Sequence, residues 1–132
     1  MKKGIVILGI LVFLLSCNKS DEKIIANTNI VGSWKLIEVL EDPGDLSGIF
    51  VSVNSSKTIV FSDIGKITSN GLICDMSIES NTKSFGTFSE TNSTISPFDC
   101  QNSIINYELN GNTLILMYPC TEPCKAKYIK IQ

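Results

Sequence analysis

The sequence predicts an all-β domain, an antiparallel up-and-down barrel of about eight strands, and three features of the chain after residue 29 predict it. Short runs of β-branched and aromatic residues recur at intervals of about 8–12 residues, the cadence of sandwiches and barrels. Hardly any helical period interrupts them. Turn-forming residues fall between the runs, where Pro and Gly set the backbone angles that a reversal needs.

In chain order the first strand is Ser33–Leu40, ended by the turn Asp42-Pro43-Gly44-Asp45. Ile49–Val53 and Lys57–Ser62 follow, and Asp63-Ile64-Gly65 makes a short hairpin loop into Lys66–Asn70. Asn70-Gly71 fits a type I′ turn leading to Leu72–Ile78. Ser84–Ser89 is the next run, and 90–96, polar except for Ile95, reads as a surface loop. Ser103–Leu109 and Thr113–Tyr118 flank Asn110-Gly111, the clearest hairpin, with Ile105 expected to face Leu116 and Tyr107 to face Leu114. Lys125–Ile131 completes the set.

Composition narrows the chemistry. The 132 residues include eleven Lys but no Arg and no His. Within one subunit this excludes a Ser-His-Asp or Cys-His arrangement, a His-ligated metal and a bidentate Arg clamp on phosphate. A net charge of −2 without a basic cluster argues against nucleic acid as a partner. The length allows one domain.

Residues 1–16 read as a signal peptide: Lys2 and Lys3 precede the apolar run Gly4 to Leu15, which is short for a membrane span needing about 20 residues. Leu14-Leu15-Ser16-Cys17 resembles the bacterial lipobox, which implies diacylation of Cys17 and cleavage before it. The implied localisation is the cell envelope, lipid-anchored at the outer membrane, since Asn18 is not the Asp that marks inner-membrane retention in many such lipoproteins. Residues 17–29 then form the lipidated start and polar tether, and 30–132 the folded domain. With the signal removed, the mean hydropathy falls from +0.21 to about zero, that of an ordinary globular domain.

Acylation of Cys17 leaves Cys74, Cys100, Cys120 and Cys124, an even number in an oxidising compartment, and two disulfides are expected. Three pairings exist. The expected hairpin register brings Cys100 near Cys120 and so suggests Cys100–Cys120 with Cys74–Cys124; Cys74–Cys100 with a pinched Cys120–Cys124 loop stands beside it. A four-thiolate zinc site lacks a second close pair, and no metal or cofactor is expected.

Val31-Gly32-Ser33-Trp34-Lys35-Leu36 resembles the Gly-x-Trp opening strand of lipocalins. Together with the lipobox, the tether and the Phe61 to Lys66 step, the layout is similar to small lipocalin-like bacterial lipoproteins. The resemblance implies that Gly32 and Trp34 close one end of the barrel, with Lys127 or Lys130 over Trp34 where the family usually places Arg. It also implies binding of a small apolar ligand, in a shallow cavity or one filled by Phe61, Phe85, Phe88 and the Ile residues, since eight strands leave little room. The alternative is a structural or protein-interaction module of the envelope with a filled barrel.

Catalytic readings are weaker. Ser80-Asn81-Thr82-Lys83 matches Ser-x-x-Lys but without its helix or companion motifs. Glu38, Glu41, Asp42 and Asp45 form an acidic group near the first loop that reads as solvated. The expectation is a binding module and not an enzyme.

Overall fold

The computed structural model describes residues 29–132. The expected signal peptide, Cys17 and nearly all of the expected tether lie outside the described residues.

The longest strand, β1 (Gly32–Glu41), pairs with three others. One edge carries β3 (Thr58–Phe61) along its first half and the short β2 (Val51–Ser52) along its second, so β2 and β3 are two halves of one stave. The other edge carries β9 (Cys124–Lys130), which closes the sheet on itself. Between β3 and β9 lie β4 (Lys66–Ser69), β5 (Ser84–Ser89), β6 (Thr94–Pro97), β7 (Ile105–Asn110) and β8 (Thr113–Met117), each antiparallel to the one before. The result is the predicted closed, eight-staved antiparallel barrel, with no helix among the described residues. Closure satisfies the backbone groups that an open sheet edge would expose.

Alternation builds the core. Trp34 and Leu36 point inward from β1, Ile59 and Phe61 from β3, Leu114 and Leu116 from β8, and Ala126 and Tyr128 from β9. A register shift between Leu36 and Glu38 places one extra residue in β1, so Val39 turns inward where unbroken alternation would turn it out.

Four local expectations need correction. Leu72–Ile78 is not a strand: Gly71 packs so tightly against the Glu79 carbonyl that a Cβ would collide with it, and the chain folds over the barrel mouth. Gly71 serves this close approach and not a type I′ turn. Part of the expected 90–96 loop is β6, whose Thr-Ile-Ser-Pro sequence looked polar because only Ile95 and Pro97 face inward. Its ladder to β7 stops at Ile95–Ile105, since Pro97 has no N–H to continue it. In the β7–β8 hairpin, Asn110 pairs with Thr113, so the turn is Gly111-Asn112, with Gly111 at φ +58°. Tyr107 therefore faces Leu116 and Leu109 faces Leu114, a two-residue slip that leaves every side chain on its expected face.

Both disulfides are present. They join Cys74 to Cys100 and Cys120 to Cys124, with Cα separations of 5.8 and 6.1 Å. The pairing suggested first, Cys100–Cys120 with Cys74–Cys124, is not the one formed: it needed a longer hairpin, but β7 begins only at Ile105 and β8 ends at Met117. Replacing Cys74 and Cys100 together by Ala is expected to lower unfolding stability by about 3 kcal/mol, because the bridge closes a loop spanning 26 residues. Urea unfolding checks this, and an unchanged midpoint would contradict it.

The two ends of the barrel differ. Tight turns at 62–65, 90–93 and 111–112 lie at the end where β1 begins. The long connections 42–50, 70–83, 98–104 and 118–123, with both disulfides, lie at the other.

Candidate functional site at the open end of the barrel

The closed end is sealed by Trp34 and Ile30. Trp34 is 0% exposed, and its indole N–H donates to the Ile30 carbonyl at 2.7 Å. Lys130 extends over the ring with Nζ 5.3 Å from a ring centroid, within cation–π range, and donates to the Asn29 carbonyl. Lys127 instead pairs with Glu38 and lies 4.0 Å over the Phe50 ring. Gly32 adopts φ +133°, and a Cβ there would strike the Gln132 carbonyl oxygen, so a side chain is excluded on two grounds.

At the open end, residues 70–83 cross the mouth as an irregular cover. Ile73 is fully buried in the core, and its N–H donates to Ser84 Oγ at 3.1 Å while that hydroxyl donates to the Gly71 carbonyl at 2.7 Å. Ser55 Oγ donates to the Ile78 carbonyl at 2.6 Å. Side-chain bonds and the Cys74–Cys100 bridge thus replace a strand ladder in holding the cover.

Beneath it lies Lys57, 0% exposed and pointing into the barrel. Its ammonium donates to the carbonyls of Ser77 at 2.7 Å and Asp75 at 3.3 Å. Burial pulls its pKa down to about 8, with Asp75 partly opposing the shift. The Tyr118 and Tyr128 hydroxyls are also buried here, with no hydrogen-bond partner among the described residues. Burial raises both tyrosine pKa values, and the two rings influence each other. The barrel wall brings Lys57 and Tyr128 together: Leu36 pairs with Tyr128 on one side and bonds the Lys57 carbonyl on the other.

Sequence reasoning missed Lys57, Tyr118 and Tyr128 as a group. A signal was present. Lys57 stands two residues before Ile59 and four before Phe61, and period-two alternation puts all three on the inner face.

The acidic residues near the first loop have separate tasks. Asp42 is buried and accepts from the N–H groups of Gly44 at 2.8 Å, Leu46 at 3.1 Å and Gly48 at 2.7 Å. The bond from Gly48 does most to hold its pKa below the ordinary value, against the cost of desolvation. Asp45 accepts from the Ser47 hydroxyl and N–H, which lower its pKa as well. The loop is thereby fixed with Leu46 in a left-handed conformation, φ +62°, and 83% exposed. Asp42→Ala should therefore abolish hydrogen-exchange protection at the Gly44, Leu46 and Gly48 amides while the barrel amides keep theirs. Unchanged protection at those three amides would contradict this role. Falling pH has the same expected effect once it passes the depressed Asp42 pKa, because the protonated carboxyl is a poorer acceptor.

Ser80 to Lys83 lie in the irregular stretch before β5, without a helix. No cluster of metal-ligating side chains occurs among the described residues. Phe61 is buried and meets Phe88 edge-on at 5.1 Å. Phe85 does not join them: it stands three residues from Phe88, hence on the opposite face of β5, and is 48% exposed. It lines an open outer cleft of about 380 Å³ with Val60, Thr68 and Lys83.

The chain matches no protein-family model, no curated protein and no solved structure.

Proposed function

We propose that this chain is a lipid-anchored lipoprotein of the cell envelope, held at the outer membrane through Cys17, whose lipocalin-like barrel is a rigid scaffold that binds a small molecule at its open end. The observation that carries this reading is the asymmetry of the barrel. Trp34 and Ile30 seal one end, while long disulfide-stapled loops and the buried donors Lys57, Tyr118 and Tyr128 collect at the other. Variable loops on a fixed scaffold are where binding groups concentrate. The whole chain lacks His and Arg, which favours binding over catalysis.

A second reading, an interaction module with a filled barrel, draws on the interior itself, where Trp34, Phe61, Tyr128 and the buried Ile and Leu side chains occupy the space of a calyx. In-cell cross-linking separates the two: a stoichiometric protein partner favours this second reading, and random neighbours count against it. The anchor is tested by Cys17→Ser. The variant is expected to lose its acyl mass and leave the membrane fraction; retention with unchanged mass would contradict the assignment.

A further inference from the structure

Lys57 is a cation placed inside a small barrel and covered by a segment that makes no ladder. Charged side chains are rarely buried without a matched partner, because desolvation costs several kcal/mol. Here the matching oxygens are backbone carbonyls of the cover itself, Asp75 and Ser77. An ammonium has three N–H donors, and these two bonds use two of them. Two further donors, the Tyr118 and Tyr128 hydroxyls, sense each other but make no hydrogen bond of full geometry with any described residue. Buried unsatisfied hydroxyls are uncommon enough to call for an explanation.

The cover also supplies an apolar part. Ile73 fills the core directly beside the segment whose carbonyls cap Lys57, so the cover presents a short branched hydrocarbon and two oxygens to the interior. That combination has the chemical outline of a short-chain carboxylate. When the cover lifts, its own negative charge, Asp75, leaves with it, and the exposed donors surround a site whose one charge is the Lys57 ammonium. Asp42, the buried carboxylate at this end, is committed to its own loop.

We propose that residues 72–78 act as a built-in ligand, and that lifting them uncovers a site in which Lys57, Tyr118 and Tyr128 bind the carboxylate of a short-chain acid while its hydrocarbon takes the place of Ile73. The Cys74–Cys100 bridge and the Ser84 hydroxyl tether the cover and so set how readily the site opens. This inference rests on the open-end reading above and names its ligand class.

The test is calorimetric titration of the mature acylated chain with hexanoate and with hexanol, in wild type and in variants with loosened covers. Cys74→Ala with Cys100→Ala is one such variant, and Ser84→Ala, which keeps both bridges, is the second should the first not fold. Loosening is expected to tighten hexanoate binding at least tenfold. Hexanol should bind at least tenfold more weakly than hexanoate, and Lys57→Met in the loosened background should erase that preference. Equal binding of acid and alcohol, an unchanged preference after Lys57→Met, or no hexanoate binding to a folded loosened variant would each overturn the proposal. A different small molecule co-purifying with the wild type would leave open-end binding standing while this ligand class falls.

Discussion

Trp34→Ala is expected to cost about 3–5 kcal/mol of unfolding stability, the range for removing a fully buried large aromatic. Such a loss consumes much of the 5–15 kcal/mol that holds a typical domain folded. Three losses coincide. The indole's packing at the closed end goes, together with its bond to the Ile30 carbonyl and the ring beneath Lys130. Trp34→Phe restores packing without the N–H and should recover most of the loss. Urea unfolding followed by circular dichroism reads both variants; a Trp34→Ala midpoint close to wild type would contradict a sealing role.

The second large effect concerns pH. Lys57 titrates near 8 in the folded protein and at 10.5 when free, so between these values the unfolded chain binds the proton that the folded barrel has released. Stability must then rise with pH across that window, by about 2–3 kcal/mol by pH 10, and it is lowest, for this group, below pH 8 where both states are charged. Tyr118 and Tyr128 act in the opposite sense. Their folded pKa values lie above the ordinary 10, so they remain protonated in the barrel while the unfolded chain ionises, and stability falls beyond pH 10. Stability is thus expected to peak near pH 10. Lys57→Met should flatten the rise between pH 8 and 10 and leave the later decline. Urea midpoints in steps of half a pH unit measure the curve, and a wild-type curve already flat or falling from pH 8 would contradict a buried ammonium.

The barrel was legible because inward and outward residues alternate cleanly on most staves, as in Lys57–Ser62 and Lys125–Ile131. Where the reading failed, long-range packing had overridden the local pattern. Leu72–Ile78 has strand-like composition, yet Gly71 and Ser84 draw it across the mouth, a contact between residues 13 apart. Thr94–Pro97 looked like loop because a wall with one wet face needs only two apolar residues in four. Phe85 looked like core by residue type alone, but Ser84 and Gly86 own the inner face of β5. The disulfide pairing depended on how far the β7–β8 ladder runs, and it stops at Ile105 and Met117, short of Cys100 and Cys120.

The open-end donors were only partly legible: alternation with Ile59 and Phe61 marks Lys57 as inward, but nothing local joins it to the two tyrosines. Lysine at the start of a strand ordinarily reads as a solvated residue, and only closure of the barrel brings Lys57, Tyr118 and Tyr128 beneath one cover. Trp34, by contrast, is a large aromatic that lies buried two residues after Gly32, whose backbone conformation and contact with Gln132 leave no room for a side chain.

Binding at the open end is tested most directly by native mass spectrometry of the full protein extracted from its own membranes. The expected species is a chain beginning at an acylated Cys17 that carries a non-covalent small molecule, released on gentle activation and absent from Lys57→Met. An acylated chain with no small molecule in any preparation, or the same molecule retained at the same level by Lys57→Met, would contradict binding at the open end.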